Sequence, residues 1–458
     1  MKTLYTFLLT IVLSSVALAQ DITGDWQGEL KFQGNALGIN FHINTTENGF
    51  ASTMDVPLQG VEGYKSDATT YIDSLLTIQI KELGIQYQGK LVLKDTIVGN
   101  FSQNGMSFKL NLKRGNNIPN IPNRPQEPKP PYDYVVKEVS YKSTSDDVVL
   151  AGTLNLPKGD GPFPAVLLLS GSGPQDRDSS IFGHKPFLLL AHELTQSGIA
   201  VLRFDERGVG ESEGRTSEMT MATQMGDAQA GINYFLSNTQ INRTKIGLLG
   251  HSLGGILAPK LTIENDIDFL VLLAAPGVNG DVMMLKQRKD LLKLRGATDK
   301  QTEGTNGMLA SLYSELRKSS LEGEALKSEL QKKLAIKYET TLPEKELNEM
   351  VNSIVGNEEL MGVLKSSPAN YFQKVSCPVL ALNGSKDFQV SAKENLAAIE
   401  KVLSDGGNTE VETHELEGLN HLFQDSDTGD ILEYQLIEQT MSPVVLRLIT
   451  EWVSEIVK

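Results

Sequence analysis

Short runs of alternating apolar and polar residues recur near the start of the chain: GELKFQG, LGINFHI, LLTIQIKE, YQGKLVLKD, TIVGNFSQ and MSFKLNLKR. A two-residue period turns one face of each run towards a core and the other towards water, as half-buried strands require. Gly, Asn and Asp separate the runs. Residues 20–114 therefore read as an all-β domain of roughly eight short antiparallel strands, a small barrel or sandwich. It is either a structural or docking module or a ligand-binding cup.

The pattern changes twice more. In residues 115–133, GNNIPNIPNRPQEPKPPYD, Pro119, Pro122, Pro125, Pro128 and Pro131 fall at every third position. That spacing matches the three-residue turn of a polyproline II helix and predicts a semi-rigid linker. From residue 134 to 458, strand-like and helix-like segments alternate. YVVKEVSYKS and DVVLAGTLNLP predict two antiparallel starting strands. PAVLLLS, IAVLRFD, KIGLLG, DFLVLLAAP, CPVLALNG and TEVETHELEG predict six more. Between them PFLLLAHELTQSG, MATQMGDAQAGINYFLSN, GGILAPKLTIEN and AKENLAAIEKVLSD predict helices, and SPVVLRLITEWVSEIV predicts a last one. Such alternation specifies a doubly wound, mainly parallel sheet. After the sixth strand, about residues 278–370 are helical in pattern and highly charged. Thr341-x-x-Glu344 with Pro343 inside it marks a helix start there. An insertion at that point lies at the carboxyl end of the sheet, so it is expected to be a cap.

Composition narrows the class. At 458 residues the chain is too long for one ordinary core. Its formal net charge of −15 disfavours nucleic acid and anionic membrane as partners. The single cysteine, Cys377, cannot form an internal disulfide, and no Cys/His cluster suggests zinc, so no metal or cofactor is expected. Lys2, the apolar stretch Leu4 to Val16, and Ala17-Leu18-Ala19 together read as a cleavable signal peptide over residues 1–19. The apolar stretch is shorter than the ~20 residues a spanning helix needs. The expected mature chain starts near Gln20 and is secreted or periplasmic, with no membrane insertion.

Chemistry enters with IGLLGHSLGGILAP, residues 246–259. Gly250-His251-Ser252-Leu253-Gly254 is a G-x-S-x-G match, and Gly210-Glu211-Ser212-Glu213-Gly214 is another. Ser252 follows an apolar strand and precedes an apolar helix, the strand–turn–helix setting the motif needs. Its turn aims the first helical N–H groups, beginning with that of Leu253, at a developing negative charge. Ser212 lacks this setting and stands between two acids, so Ser252 is the expected nucleophile. A serine hydroxyl needs a base. His421, in the loop after the last strand, is preferred. His184 is the runner-up. His42, His192 and His414 are expected to be packed or solvated, and His251 to point away. The carboxylate that orients the base is expected to be Asp387, just past a strand, with Asp425 and Glu417 as weaker candidates. A second oxyanion donor is expected in LLLSGSGPQDRD, where Gly171 and Gly173 allow close approach. The N–H of Ser172 is chosen, with its neighbours as alternatives. Asp176, Arg177 and Asp178, and likewise Asp205, Glu206 and Arg207, are expected to brace their loops by ion pairs.

Five ordered blocks, SGSGPQDRD, DERGVGES, GHSLGGILAP, LNGSKDFQV and GLNHLFQ, resemble the α/β-hydrolase family. The likeness is to bacterial secreted serine esterases, a group overlapping with serine aminopeptidase-like hydrolases and acyl-thioester hydrolases. The ending TGDILEYQLIEQTMSPVVL is similar to that group too. The likeness covers roughly residues 134–458. It implies the nucleophile Ser252, acid Asp387 and base His421, with Leu253 and a residue of 171–173 forming the oxyanion hole. Relatives often carry glutamate where this chain has Leu253, a change that leaves the backbone N–H intact. Gly24-Asp25-Trp26 resembles the G-x-W opening of lipocalin-like barrels over three residues only. The expected function is a secreted carboxylesterase acting on a small-molecule ester. Serine peptidase and acyl thioesterase are alternatives within the fold. A non-catalytic ligand-binding protein is the alternative outside it. The partner of the β domain is unknown.

Overall fold

The computed structural model describes residues 21–32, 35–47, 49–57, 61–103, 106–115, 123–338 and 343–458. The expected signal peptide, Pro119, Pro122 and Thr341 lie outside these. The chain divides into two compact units on either side of Ile121 and Pro122.

Among the described residues the first unit contains ten strands: β1 (Gly24–Phe32), β2 (Asn35–Thr46), β3 (Gly49–Val56), β4 (Val61–Lys65), β5 (Ala68–Ile72), β6 (Leu75–Ile80), β7 (Ile85–Leu93), β8 (Thr96–Gln103), β9 (Met106–Lys109) and β10 (Leu112–Arg114). Eight of them, all but β4 and β9, close an antiparallel barrel, completed by β10 pairing with both β1 and β8. The alternation read from sequence is visible in Ile39, Phe41 and Ile43 of β2, all buried, and in the half-exposed His42 between them. Trp26 is fully buried, with its indole N–H donated to the Ile22 carbonyl at 2.7 Å and the Arg114 guanidinium 4.4 Å from the ring centre. Trp26, Phe41, Tyr87 and Phe101 help fill the interior. These side chains give the barrel a packed core, and Gln27, Glu29, Asn40 and Lys109 line a cavity of about 1040 Å³ in the same unit. The run MSFKLNLKR is two strands rather than one: regular pairing is interrupted at Leu110 and Asn111, where the Leu110 N–H still reaches the Gly99 carbonyl at 2.9 Å, before the chain continues as β10.

Among its described residues the second unit holds eight strands: β11 (Val135–Lys142), β12 (Val149–Leu156), β13 (Phe163–Leu169), β14 (Ala200–Phe204), β15 (Ile241–His251), β16 (Phe269–Leu273), β17 (Val379–Gly384) and β18 (Val411–Leu416). They form one sheet in the order β11-β12-β14-β13-β15-β16-β17-β18. The β11–β12 and β12–β14 pairings are antiparallel and the rest parallel. The helices are α1 (Pro186–Gln196), α2 (Met221–Ser237), α3 (Gly254–Glu264), α4 (Gly280–Leu294), α5 (Asp299–Lys318), α6 (Gly323–Tyr338), α7 (Glu344–Val355), α8 (Glu358–Lys365), α9 (Ala369–Phe372), α10 (Ala392–Asp405), α11 (Ile431–Tyr434) and α12 (Pro443–Ile456). Two apolar layers cover the two faces of the sheet. One joins Leu154, Leu167 and Leu248 to α2, α3 and α10; the other joins Val166, Leu168 and Val271 to α1 and α12. Central strands buried on both faces need continuous apolar sequence, and FLVLL of β16 is completely buried.

Helices α4–α9 interrupt the sheet between β16 and β17, as the sequence led us to expect. They have a core of their own, including Leu312, Leu316, Leu330, Val351 and Leu364. Helix α7 starts at Glu344, directly after Pro343. The second half of the expected linker is not a free spacer. Arg124 donates to the carbonyls of Ile437 at 2.5 Å and Phe182 at 2.7 Å, and Gln126 accepts from the Thr440 N–H at 2.6 Å. Arg124 and Gln126 are thereby tied into the sheet-bearing unit.

Candidate active site

Strand β15 ends at His251 and helix α3 begins at Gly254, so Ser252 and Leu253 alone make the turn. Ser252 sits at φ +53°, the left-handed region that L-residues rarely occupy. The two motif glycines are required by contact. A Cβ at Gly250 would lie 2.2 Å from the Gly254 carbonyl oxygen, and one at Gly254 would lie 2.2 Å from that of Leu169. The Ser252 N–H is taken by the Leu273 carbonyl at 2.9 Å. Its side chain faces a cavity of about 340 Å³, also lined by Ser172, Leu253 and His421.

His421 follows β18 and is 4 % exposed. Its Nδ1 is 2.7 Å from Oδ2 of Asp387, a residue just beyond β17. The other carboxylate oxygen of Asp387 accepts from the N–H groups of Gln389 at 2.8 Å and Val390 at 2.9 Å. With Asp387 fixed in this way, Nδ1 of His421 carries the proton and Nε2 is left as the basic nitrogen. The loop bearing His421 is held by Asn420, whose side chain accepts from the N–H groups of Leu422 and Gln424 at 3.0 Å each.

The structure also sorts the other candidates. Ser212 is a brace: its hydroxyl donates to the Asp205 carbonyl at 2.6 Å and accepts from the Ala151 N–H at 2.9 Å. His184 is fully buried and pinned by Thr440, Gln424 and the Tyr434 carbonyl. Burial lowers its pKa to about 4, so it stays neutral. His192 meets the Tyr134 hydroxyl, His414 meets Glu412, and His42 bridges Asp25 and Asp55 in the barrel. Asp425 pairs with Gln439, and Glu417 is exposed.

His251 is a correction. It was expected to point away, yet its ring centre lies 4.8 Å from that of His421 and it lines the same cavity. Its Nε2 donates to the His421 carbonyl at 3.0 Å. Burial, then the neighbouring His421, push its pKa down to about 3, so it remains a neutral donor. Sequence gives adjacency to Ser252 but not the direction of the side chain.

The loop after β13 is braced as expected by Arg177 with Asp205 and by Arg203 with Asp178. Arg207 pairs with Asp227 and Asp146. Glu206 departs from the expected ion pair. It is buried and spans the loop Gly171–Gly173, bonding Ser170 Oγ at 2.5 Å on one side and the Gln175 N–H at 2.9 Å on the other. Burial raises its pKa to about 8, with Glu359 adding to the effect. Glu359, from cap helix α8, accepts from the Gly173 N–H at 3.0 Å and from Gln224 at 3.1 Å. The cap also lends the cavity Met283, Met284, Leu360 and Val363. No sequence signal singled out Glu359, because helix packing in the cap decides which of its many acids faces the sheet.

Residues 185–427 match the family described as serine aminopeptidase, S33. The chain belongs to this family of α/β-hydrolases. It is 28 % identical over 273 residues to the esterase EstD of Thermotoga maritima, a match covering 60 % of this chain and 58 % of that protein. It is 23 % identical over 315 residues to an uncharacterised 31.7 kDa protein of Escherichia coli, covering 66 % and 94 %. Among solved structures, the Pyrococcus furiosus esterase Pf2001 aligns with 17 % identity and a TM-score of 0.41, over 70 % of this chain and 93 % of that one. Among the described residues, no group of three or more His, Cys, Asp or Glu is placed to hold a metal ion. No described helix is long and apolar enough to cross a membrane.

Proposed function

We propose that this hydrolase is a serine carboxylesterase in which Ser252 is the nucleophile, His421 the base and Asp387 the residue that orients it. The observation that carries this reading is the strained Ser252 turn facing one cavity with His421, whose Nδ1 is held by Asp387 at 2.7 Å. In this mechanism His421 Nε2 takes the Ser252 proton as Oγ attacks the ester carbonyl carbon. The carbonyl oxygen becomes an oxyanion, received by the Leu253 N–H at the start of α3 and by a second N–H of the 171–173 loop. Gly173 is already committed to Glu359 and Ser252 to Leu273, which favours Ser172 for that second donor. His421 then gives its proton to the leaving alcohol. Water, deprotonated by the same nitrogen, attacks the acyl-enzyme, and Ser252 leaves protonated.

The substrate class rests on the esterase relative and on the cavity. Ile256, Met283, Leu360, Val363 and Leu422 give it an apolar side, and at about 340 Å³ it suits a short acyl group. The serine peptidase reading keeps weight because of the family description, and the same residues serve an amide or a thioester. A panel of p-nitrophenyl acetate, butyrate and palmitate, aminoacyl p-nitroanilides and acyl-CoA thioesters separates the three. The proposal expects kcat/KM to be highest for acetate or butyrate. Faster turnover of the anilides makes the chain a peptidase instead.

Export completes the proposal. Lys2, the apolar stretch and Ala17-Leu18-Ala19 support cleavage before Gln20 and a secreted or periplasmic enzyme. N-terminal sequencing of full-length protein expressed in a Gram-negative host tests it. A Gln20 start in the periplasmic fraction is expected, and an intact Met1 start in the cytosol contradicts it.

A further inference from the structure

The cavity of Ser252 is unevenly charged. Met283, Leu360 and Val363 line it with apolar groups, and Gln175, Gln287 and Gln389 with neutral amides. Among the described residues that line it there is no lysine or arginine, and Glu359 is the one carboxylate. Helix α8 opens with two acids that part ways: Glu358 is exposed, while Glu359 is half-buried and lines the cavity. The Glu359 carboxylate accepts the Gly173 N–H, shared between its two oxygens at 3.0 and 3.3 Å, and the Gln224 amide at 3.1 Å. A carboxylate offers about four lone-pair sites, so these bonds leave room for a further donor.

This charge lies within reach of the reacting serine. A Cβ at Gly171 would lie 3.4 Å from that of Ser252, and Gly173 follows two residues, at most ~7 Å of chain, later. The Glu359 carboxylate is therefore roughly 10 Å from the Ser252 side chain. At an effective dielectric constant of ~20, a unit charge at that range changes the binding of a charged ligand on the order of tenfold. Neighbouring cations do not cancel it. Lys286 on α4 is paired with Asp290 and Glu394, and Arg317 on α5 with Asp281. Asp387, behind His421, has the same sign. Glu206, which spans the same loop, feels this field: burial first, with Glu359 adding, holds it protonated, so it brings no charge of its own near neutral pH.

We propose that Glu359 is a specificity-determining residue, selecting esters that bear an ammonium group and rejecting those that bear a carboxylate or phosphate; this rests on the esterase function above. The test is pH-stat hydrolysis by the full chain near neutral pH, comparing kcat/KM within pairs matched in shape. Ethyl 4-aminobutanoate is set against ethyl pentanoate for the acyl side, and acetylcholine against 3,3-dimethylbutyl acetate for the alcohol side. Monoethyl glutarate is the anionic comparison. The cationic member of at least one pair is expected to be faster by about tenfold, and monoethyl glutarate slower than ethyl pentanoate by about as much. Glu359→Gln keeps an acceptor for the Gly173 N–H and removes the charge, so the cation-to-neutral ratio should fall about fivefold or more. Gln287→Lys, at a half-buried position, sets a cation in the same cavity and should lower the ratio likewise, which keeps the test decisive if Glu359→Gln fails to fold. A ratio near one in both pairs, or a high ratio that persists in folded Glu359→Gln or in Gln287→Lys, overturns the proposal while turnover of the neutral esters leaves the esterase reading standing. Turnover of none of these esters overturns that reading and this proposal with it.

Discussion

Ser252 combines two demands that oppose each other. Its φ of +53° costs an L-residue roughly 1–2 kcal/mol, and it lifts the hydroxyl into the cavity. Ser252→Gly should therefore raise stability by about 1 kcal/mol, read as a higher melting temperature, while ester hydrolysis disappears. An unchanged or lower melting temperature would mean the turn is not strained. His251 is expected to act as a positioning residue through the His421 carbonyl. His251→Phe keeps the ring and loses that hydrogen bond, so kcat should fall about 10- to 100-fold with KM little changed. A change in KM alone would contradict the role. Glu206 brings a pH dependence. Its folded pKa of about 8 lies above its ordinary value of 4.5, so the folded state holds the extra proton. The stability it contributes is complete below about 4.5 and is lost as pH rises through about 8. The protonated acid can donate to Ser170 and accept from Gln175, and glutamine can do the same. Glu206→Gln should then melt at nearly constant temperature between pH 7 and 9, whereas the unmodified chain loses a few degrees. Parallel melting curves would show that Glu206 does not titrate there.

At the scale of elements, the β15–α3 turn depends on backbone packing rather than on any side chain. Because a Cβ at Gly250 meets the Gly254 backbone at 2.2 Å, Gly250→Ala should destabilise by about 3 kcal/mol or more and be poorly recovered as folded protein. Normal recovery and melting would contradict the packing. Most elements of the second unit were legible because buried strands and amphipathic helices write their periods into the sequence. β15 is longer than KIGLLG suggested, since Ile241 opens it by pairing with Phe163. Ser252, Asp387 and His421 were legible for a related reason, as each follows the end of a strand, where the loops of one sheet edge gather. The direction of His251, the reach of Glu359 from α8 and the spanning position of Glu206 were not. They depend on rotamers and on the packing of one helix against a loop. In the barrel, β3, β4 and β5 were not legible because β3 and β5 place the polar Ser52 and Thr69 at buried positions, which breaks the apolar–polar alternation, and VEGYK of β4 is short.

For the whole molecule, the two units have separate cores, and every residue assigned to the candidate site lies in the second. A chain of residues 123–458 should thus hydrolyse p-nitrophenyl acetate with kcat/KM within about threefold of the longer protein. A loss of a hundredfold or more would assign the barrel a direct part in turnover. The central claim, however, is that one serine of the two motif matches carries the chemistry. It is tested most directly by labelling with a fluorophosphonate probe in the unmodified chain, Ser252→Ala and Ser212→Ala, with the modified peptide located by mass spectrometry. The account predicts stoichiometric label on Ser252, none in Ser252→Ala, and full label in Ser212→Ala if that variant remains folded. Label that survives Ser252→Ala, or none in the unmodified chain, would contradict it.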